Sequence, residues 1–211
     1  MPFLPTNLQK IYPIGCSLSN YARSVKEKEW EFPSFRDCCP ICFGKNCAKR
    51  NGFYTRVAIE KDGKEKDIPV ARWECGRKGE VDDSADRTFS LLPHPLVPYR
   101  RYSAAVQYET FKQAAINGTK GALDALQPVL EGFCERTISF VILLFQAAFL
   151  LLLQAKFVPE THCWKEALIE LVENYEGGLL GLIIAFYVAQ HEFLLGNPSQ
   201  HRKPRKKLKK A

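Results

Sequence analysis

The first half of the chain has the alternating pattern of a small β structure. Two runs rich in β-branched and aromatic residues, NGFYTRVAIEK and DIPVARWEC, flank the turn KDGKEK, in which Asp62-Gly63 suits a tight hairpin. In the second run Ile68 and Val70 point towards a core by alternation, and Trp73 does so less strictly. The pattern therefore predicts a β-hairpin at the centre of a small module.

Prolines flank this module on both sides. The leader before it has prolines at positions 2, 5, 13 and 33 and only a short polar stretch of helical character, YARSVKEKEWEF, so we expect the leader to be irregular. After the module, Pro93, Pro95 and Pro98 in RTFSLLPHPLVPYRRYS prevent a helix and predict an extended connector. The connector marks a boundary between two modules.

Helical periodicity dominates after the connector. SAAVQYETFKQAAI is predicted to be a helix that ends at Asn117-Gly118, and GALDALQPVLEG a short helix that breaks near Pro128. WKEALIELVENYEGG is typical of an acidic amphipathic helix, and GGLLGLIIAFYVAQHEFLL of a final apolar helix. The second half is therefore predicted to be all-α.

One stretch of this half, TISFVILLFQAAFLLLLQA, has 19 residues without a charge. That length can span a bilayer, and Arg136 and Lys156 flank the stretch. Gln146 interrupts it, however, and the final apolar helix has only about 14 uncharged residues, too few to span comfortably. A soluble bundle is favoured, one or two membrane helices are the alternative, and a homodimer through the apolar helices is a third interpretation.

Charge is distributed unevenly along the chain, whose formal net charge is +7. Residues 1–102 hold 18 Lys and Arg against 13 Asp and Glu, and residues 103–201 hold 5 against 10. The remaining tail adds seven basic residues and no acid. An anionic partner should therefore meet the first module or the tail rather than the middle of the chain.

Four of the eight cysteines lie within one short stretch, CCPICFGKNC. A CxxC turn such as Cys39-Pro-Ile-Cys42 can supply two thiolates to one zinc ion, and Cys75 lies just after the second predicted strand, where a third ligand is expected. The position of the fourth ligand in a zinc ribbon is occupied by Lys78, whose ammonium group cannot bind zinc.

Cys38, Cys47 and His94 are the candidates for the missing ligand. Cys38 is too close to its neighbour in the CxxC turn to share a tetrahedron with it easily, whereas Cys47 can fold back from the knuckle. The alternative is that the metal has been lost and the cysteines are buried as small apolar residues. The predicted zinc ligands are Cys39, Cys42, Cys75 and Cys47.

The cysteine content and the N-terminus indicate a reducing compartment. Eight cysteines are too few for a small secreted disulfide scaffold, and MPFLPTNLQKIYPIG lacks a charged segment followed by an apolar run. We therefore expect a cytoplasmic protein, in which a CxxC pair is a metal or redox element rather than a disulfide.

Together the patterns predict an α+β protein, in which a small zinc-ribbon-like β-hairpin module is followed by an all-α helical bundle. The module carries the cysteines, and the end of the chain carries the densest positive charge. The predicted parts are an irregular leader (1–36), the β module (37–92), the proline-rich connector (93–102), the helical bundle (103–196) and a basic tail (197–211).

Three separated segments, CPICFGKNCAKRNGFYTR, IPVARWEC and RTFSLLPHPLVPYRRYS, resemble one family over residues 36–103. They look like the zinc-ribbon part of bacterial transposase-related proteins, including a family known only as a domain of unknown function. In that family a CPxC knuckle, a hairpin ending in CxxC and an RTxSLLP connector precede a helix-turn-helix. The resemblance implies zinc binding, DNA binding and a helical bundle derived from a helix-turn-helix. The chain departs from the pattern at Lys78 and in GRKGEVDDSAD, which is longer and more acidic.

DNA binding of this kind would use cations on the hairpin, the connector, a helix start and the tail. The segment EGFCERTISFVILLFQ would supply the turn and the recognition helix, although after Ser139 it offers only apolar side chains and one Gln. The tail RKPRKKLKK can release counterions from phosphates without any fold. The predicted DNA-contacting residues are Lys49, Arg50, Arg56, Arg72, Arg100, Arg101, Arg136, Arg202, Lys203, Arg205, Lys206 and Lys207.

The sequence has no recognisable catalytic constellation. A transposase catalytic domain needs three carboxylates that hold two Mg²⁺ ions, and the chain has no room for such a domain. Asp82, Asp83 and Asp86 lie in one loop beside basic residues, and the four histidines show no metal-binding spacing. We therefore expect a non-catalytic DNA-binding protein, with a small membrane-associated protein as the alternative.

Overall fold

A computed structural model describes residues 8–76, 88–98, 100–158, 161 and 163–190. These residues confirm the α+β class, with a sheet-containing part before a helical part. They belong to two compact units, residues 1–108 with 128–131 and residues 109–127 with 132–211. The elements in chain order are β1 (Leu8–Tyr12), α1 (Leu18–Lys26), β2 (Ala48–Ile59), β3 (Glu65–Cys75), β4 (Thr88–Pro93), α2 (Ala104–Leu126), α3 (Glu135–Gln154), α4 (Trp164–Asn174) and α5 (Gly178–Gln190).

The sheet of the first unit has the strand order β1-β4-β3-β2. β2 and β3 pair antiparallel along their length and confirm the predicted hairpin. Their loop closes where the Gly63 N–H donates to the Glu60 carbonyl at 2.9 Å. Gly63 has a φ of 72°, in the left-handed region that glycine adopts at little cost. The Asp62-Gly63 pair therefore acts as the turn that the sequence predicted.

The segment expected to be an irregular leader contains the strand β1 and the helix α1. β1 pairs parallel with β4, and Ile11 lies opposite Leu92, both with buried side chains. Ser17 is the N-cap of α1, and its hydroxyl accepts from the Asn20 N–H at 3.2 Å. The leader differs from the expectation because its strand is specified by a partner far away in sequence, which no local pattern shows.

One face of the sheet carries an aromatic core. Phe35 packs edge-on against Phe89 with ring centroids 4.9 Å apart and against Trp73 at 5.5 Å, and Phe32 packs against Trp73 at 5.7 Å. The chain before the cysteines therefore covers this face, and the predicted core position of Trp73 is confirmed. The buried residues of this cluster are Ala71, Trp73, Phe89 and Leu91.

Two glycines of the hairpin give a matched test of its turn. A Cβ added at Gly63 would lie 2.0 Å from the Val129 carbonyl oxygen, whereas one added at Gly52 would have no atom within 4 Å. Both glycines have positive φ, so both alanine variants share a backbone cost of about 1–2 kcal/mol. We expect Gly63→Ala to lower the free energy of unfolding by about 1–3 kcal/mol more than Gly52→Ala in urea titrations. Equal losses of unfolding free energy in the two variants would mean that the nearby Val129 carbonyl does not constrain the turn.

His94 is a buried acceptor that connects the chain after β1 to the chain after β4. Its Nδ1 accepts from the Ile14 N–H at 3.1 Å, and its own backbone N–H donates to the Tyr12 carbonyl at 2.9 Å. Desolvation lowers the pKa of this imidazole below its ordinary value. Protonation would therefore charge a buried ring and remove the acceptor of the Ile14 N–H.

The lowered pKa of His94 predicts a dependence of stability on pH. Because the unfolded histidine binds a proton near pH 6.5 and the folded one only at lower pH, its contribution is complete above about pH 6.5 and is lost as pH falls through the folded pKa. We expect the urea midpoint to fall more steeply on acidification in the wild type than in His94→Gln. Any effect of acid on the cysteines is the same in both proteins. If the urea midpoint falls equally steeply with pH in both, the pH dependence does not come from His94.

The second unit contains the predicted helices. α2 is bent at Gly118, whose φ of 72° and ψ of 176° are not helical, so the predicted end at Asn117-Gly118 is confirmed. The following helical stretch stops at Leu126, just before Pro128. α4 and α5 confirm the acidic amphipathic helix and the final apolar helix. The unit boundary after residue 108 lies inside α2 rather than in the proline-rich connector, where the modules were expected to divide.

The apolar stretch predicted from the sequence forms α3. Phe145 of this helix stacks on Phe111 with ring centroids 4.7 Å apart, but Leu143 and Leu150 are 61% and 51% exposed. By length and composition α3 can cross a membrane, and α4 with α5, bent by 96°, passes the same test as a broken span. The core helix of a soluble protein has the same length and composition. Its buried residues are Ile138, Val141, Leu144, Phe145, Ala148, Phe149 and Leu152.

Candidate metal centre

Four cysteine sulfurs converge at one end of the sheet. Cys42 Sγ lies 3.2 Å from Cys47 Sγ and 3.5 Å from Cys75 Sγ. The Sγ atoms of Cys39, Cys42, Cys47 and Cys75 all lie within 4.8 Å of one another, and all four cysteines are free thiols. Cys47 therefore joins the other three, as the sequence predicted.

The knuckle that carries Cys39 and Cys42 is a tight turn. The Cys39 N–H donates to the Gly44 carbonyl at 2.9 Å, and the Phe43 N–H donates back to the Cys39 carbonyl at 2.8 Å. Phe43 and Asn46 have φ values of 56° and 57°, in the left-handed region. These two reversals return the chain towards the knuckle, so that the next residue, Cys47, faces the first pair.

Cys75 reaches the knuckle because of its register in β3. It lies two residues after Trp73, so the alternation of the strand puts it on the face that the chain before the cysteines covers. Cys75 pairs with Ala48 in the hairpin, and the Gly76 N–H donates to the Cys47 carbonyl at 2.7 Å. The last rungs of the hairpin therefore hold the second pair of cysteines side by side.

The sulfur distances fit a single soft metal ion. With zinc–sulfur bonds of about 2.3 Å, the edges of a sulfur tetrahedron are about 3.8 Å long. The 3.2 and 3.5 Å separations are somewhat shorter than this edge and much longer than a disulfide bond of about 2.05 Å. Three of the cysteines are buried and Cys42 is half-buried. The arrangement is compatible with a structural metal site.

Electrostatics in the cluster favour a cation. Desolvation raises the pKa of the Cys42 thiol, but hydrogen bonds with Cys47, the Gly44 backbone and neighbouring cysteines outweigh it and lower the pKa to about 7. Desolvation and the hydrogen bond with Cys42 raise the pKa of Cys47 to about 12. Without a metal, thiolates packed this closely repel one another, and a bound cation removes that repulsion.

The other two candidates for the fourth position, Cys38 and His94, lie away from the sulfur cluster. Cys38 is exposed and is not part of the sulfur cluster. His94 is hydrogen-bonded to the Ile14 N–H, as described above. Lys78 lies outside the described residues, as do Asp82, Asp83 and Asp86.

The predicted DNA-contacting cations occupy different surroundings. Lys49 and Arg50 are exposed on β2, and Arg136 is exposed in the first turn of α3. Arg72 is half-buried and donates to the Thr88 hydroxyl at 3.2 Å. The tail residues lie outside the described part of the chain, namely Arg202, Lys203, Arg205, Lys206 and Lys207.

Three of the predicted arginines meet at one cleft. An open cleft of about 410 Å³ is lined by Arg56, Val57, Arg100 and Arg101. Arg56 donates to the Val97 and Arg100 carbonyls at 3.0 and 2.8 Å, so it also holds the connector against β2. Arg101 is exposed and pairs with Glu65, and desolvation lowers the pKa of Arg100. The sequence predicted each of these arginines as a separate DNA contact, but it did not show that they line the same cleft.

Residues 39–127 match a family described as Domain of unknown function (DUF6431). The match includes all four cysteines of the cluster, the hairpin, the connector and α2. No curated protein and no solved structure matches the chain.

Proposed function

We propose that this chain is a non-catalytic DNA-binding protein, in which a zinc ribbon supports a basic surface. The observation that carries the proposal is the open cleft that Arg56, Arg100 and Arg101 line, because arginine side chains suit phosphate oxygens. The cleft lies on β2 and the connector, and the cysteine cluster ties the other end of β2 to the knuckle.

Zinc is the metal that these ligands suit best. Four thiolates in a closed tetrahedron are typical of structural zinc, which holds small modules that lack a large core. Such a site leaves no open position for a water or substrate, so we assign it a structural role and no reaction. Cys39, Cys42, Cys47 and Cys75 would each supply one thiolate.

The proposed partner is DNA, contacted mainly through phosphates. The resemblance of residues 36–103 to transposase-related zinc ribbons supports this choice, and so does the basic tail. The middle of the chain, with 5 basic against 10 acidic residues, is less suited to phosphate contacts. A cytoplasmic location follows from the same proposal, since cysteine zinc sites need reduced thiols.

The proposal is tested by duplex DNA binding of the full chain at several salt concentrations. Each phosphate contact lowers log K by about 0.9 per tenfold rise in salt. Arg101→Gln should weaken binding and reduce this slope by about one contact, and Lys120→Gln, at an exposed position of α2, should change neither. Replacing the basic residues of the tail by Gln should reduce the slope further.

The outcome that contradicts DNA binding is equally specific. If the wild type shows no salt-dependent shift of duplex DNA at low ionic strength, neither the cleft nor the tail binds phosphates. A second outcome is that Arg101→Gln and Lys120→Gln both keep the salt dependence of the wild type, while the tail variant loses it. In that case the tail binds DNA phosphates and the cleft does not.

A second candidate function is supported by α3. This helix is long and apolar enough to span a membrane, and Leu143 and Leu150 expose apolar surface on it. The protein would then be membrane-associated, with the cysteine module in the cytosol and the basic tail on anionic lipid. Carbonate extraction of cell membranes separates the two candidates, because a peripheral or soluble DNA-binding protein is released and a spanning protein is retained.

A further inference from the structure

A β-bulge in β2 brings together two side chains that a regular strand would separate. The register of the hairpin shifts between Arg50, which lies opposite Trp73, and Phe53, which lies opposite Ala71. The three residue steps from Arg50 to Phe53 in β2 therefore match only two residue steps in β3. Gly52, with a φ of 84°, lies inside this bulge. Because Trp73 and Ala71 share a face by alternation, Arg50 and Phe53 share that face as well.

The two side chains form a cation–aromatic cluster with Phe32. The guanidinium carbon of Arg50 lies 5.6 Å from the ring centroid of Phe53 and 6.0 Å from that of Phe32. The two rings are 5.5 Å apart, and Phe32 in turn packs on buried Trp73. These distances are those of cation–π contacts, so the core of the module holds the cluster in place.

The cluster is open to solvent on the edge of the sheet. Phe53 is 44% exposed and Arg50 is exposed. β2 is the last strand in the order β1-β4-β3-β2, so no further strand among the described residues of the sheet covers this edge. An aromatic ring and a guanidinium plane are therefore available together to a ligand.

We propose that Phe32, Arg50 and Phe53 form a platform on which unpaired bases of single-stranded DNA stack. The proposal rests on the DNA-binding function proposed above and names a ligand for a second surface of the same module. Bases stack on aromatic rings and on guanidinium planes with little sequence preference, while adjacent cations bind the phosphates. Bases in duplex DNA are already stacked on one another, so the platform selects single strands.

A purely structural explanation accounts for only part of the cluster. Charged residues and bulges on edge strands block pairing with other chains, and Lys49 together with the bulge would serve that purpose. That purpose does not need a phenylalanine that is 44% exposed, nor its contact with Arg50. Stacking on a base uses both features.

The test compares three labelled probes on the full chain: a single-stranded oligonucleotide, its duplex, and an abasic strand with the same number of phosphates. Phe53→Leu keeps an apolar side chain but removes the π face, and Phe43→Leu is the matched control at an exposed phenylalanine outside the platform. We expect Phe53→Leu to weaken single-strand binding about five-fold or more, because stacking contributes about 1–3 kcal/mol per base. Arg50→Gln should act in the same direction.

The outcomes separate the platform from the proposed function. Loss on the single strand alone, with duplex and abasic binding retained and Phe43→Leu like the wild type, supports the platform. Unchanged single-strand binding in Phe53→Leu, or an equal loss on all three probes, overturns it. A wild type that binds duplex but not single strands overturns the platform and leaves the DNA-binding function intact, and one that binds no probe overturns both.

Discussion

Cys47→Ser is expected to release the metal and to unfold the first unit. A serine hydroxyl stays protonated at neutral pH and is a poor zinc ligand, so three thiolates remain at the site. Structural zinc contributes about 10–16 kcal/mol in zinc-finger peptides, and this binding free energy is also folding free energy. We therefore expect the free energy of unfolding to fall by more than about 4 kcal/mol, measured by urea titration with circular dichroism. A chelator should have the same effect on the wild type.

Cys38→Ser is the matched control for this result. Cys38 is exposed and lies next to Cys39, but its sulfur is outside the cluster. The variant should bind metal and unfold like the wild type. If Cys47→Ser and Cys38→Ser behave alike, Cys47 is not a ligand, and the fourth position belongs to another group or the site holds no metal.

Phe89→Ala is expected to give the largest loss of stability among changes away from the cysteines. Its ring is 1% exposed and lies 4.9 Å from the ring of Phe35 and 5.9 Å from that of Trp73. Truncation leaves a cavity among rings that the β3–β4 ladder holds in place, so they can only partly close it. We expect a loss of about 3–5 kcal/mol in urea titrations of the metal-loaded protein.

Phe43→Ala provides the comparison for this prediction. Phe43 is 72% exposed, so the same truncation removes few contacts and should cost less than about 0.5 kcal/mol. Equal losses in the two variants would mean that the aromatic cluster does not form the core of the module. A loss in Phe89→Ala without any change in metal content would show that the core and the metal site stabilise the module separately.

The sequence predicted the parts of the fold that local signals specify. The hairpin was visible because alternation and Asp62-Gly63 agree, and the bend in α2 because Asn117-Gly118 ends a helical pattern. The CxxC turn identified the first pair of the clustered cysteines and the end of the second strand identified Cys75. Each of these features depends on a few neighbouring residues.

Features that depend on distant partners or on unusual backbone conformations were not visible. β1 is a strand because it pairs with β4, and its five residues carry little pattern of their own. Cys47 was chosen from three candidates only because it could fold back, since its position depends on left-handed conformations at Phe43 and Asn46, of which only asparagine is a usual signal. The platform was missed because a bulge, not alternation, aligns Arg50 with Phe53.

Zinc K-edge X-ray absorption of the full chain, purified without chelators, tests whether the four cysteines hold one zinc ion. We predict one zinc per chain with four sulfur neighbours at about 2.3 Å. A preparation without metal would overturn the zinc site. So would a zinc with nitrogen or oxygen in its coordination shell, because the fourth ligand would then be a group other than Cys47.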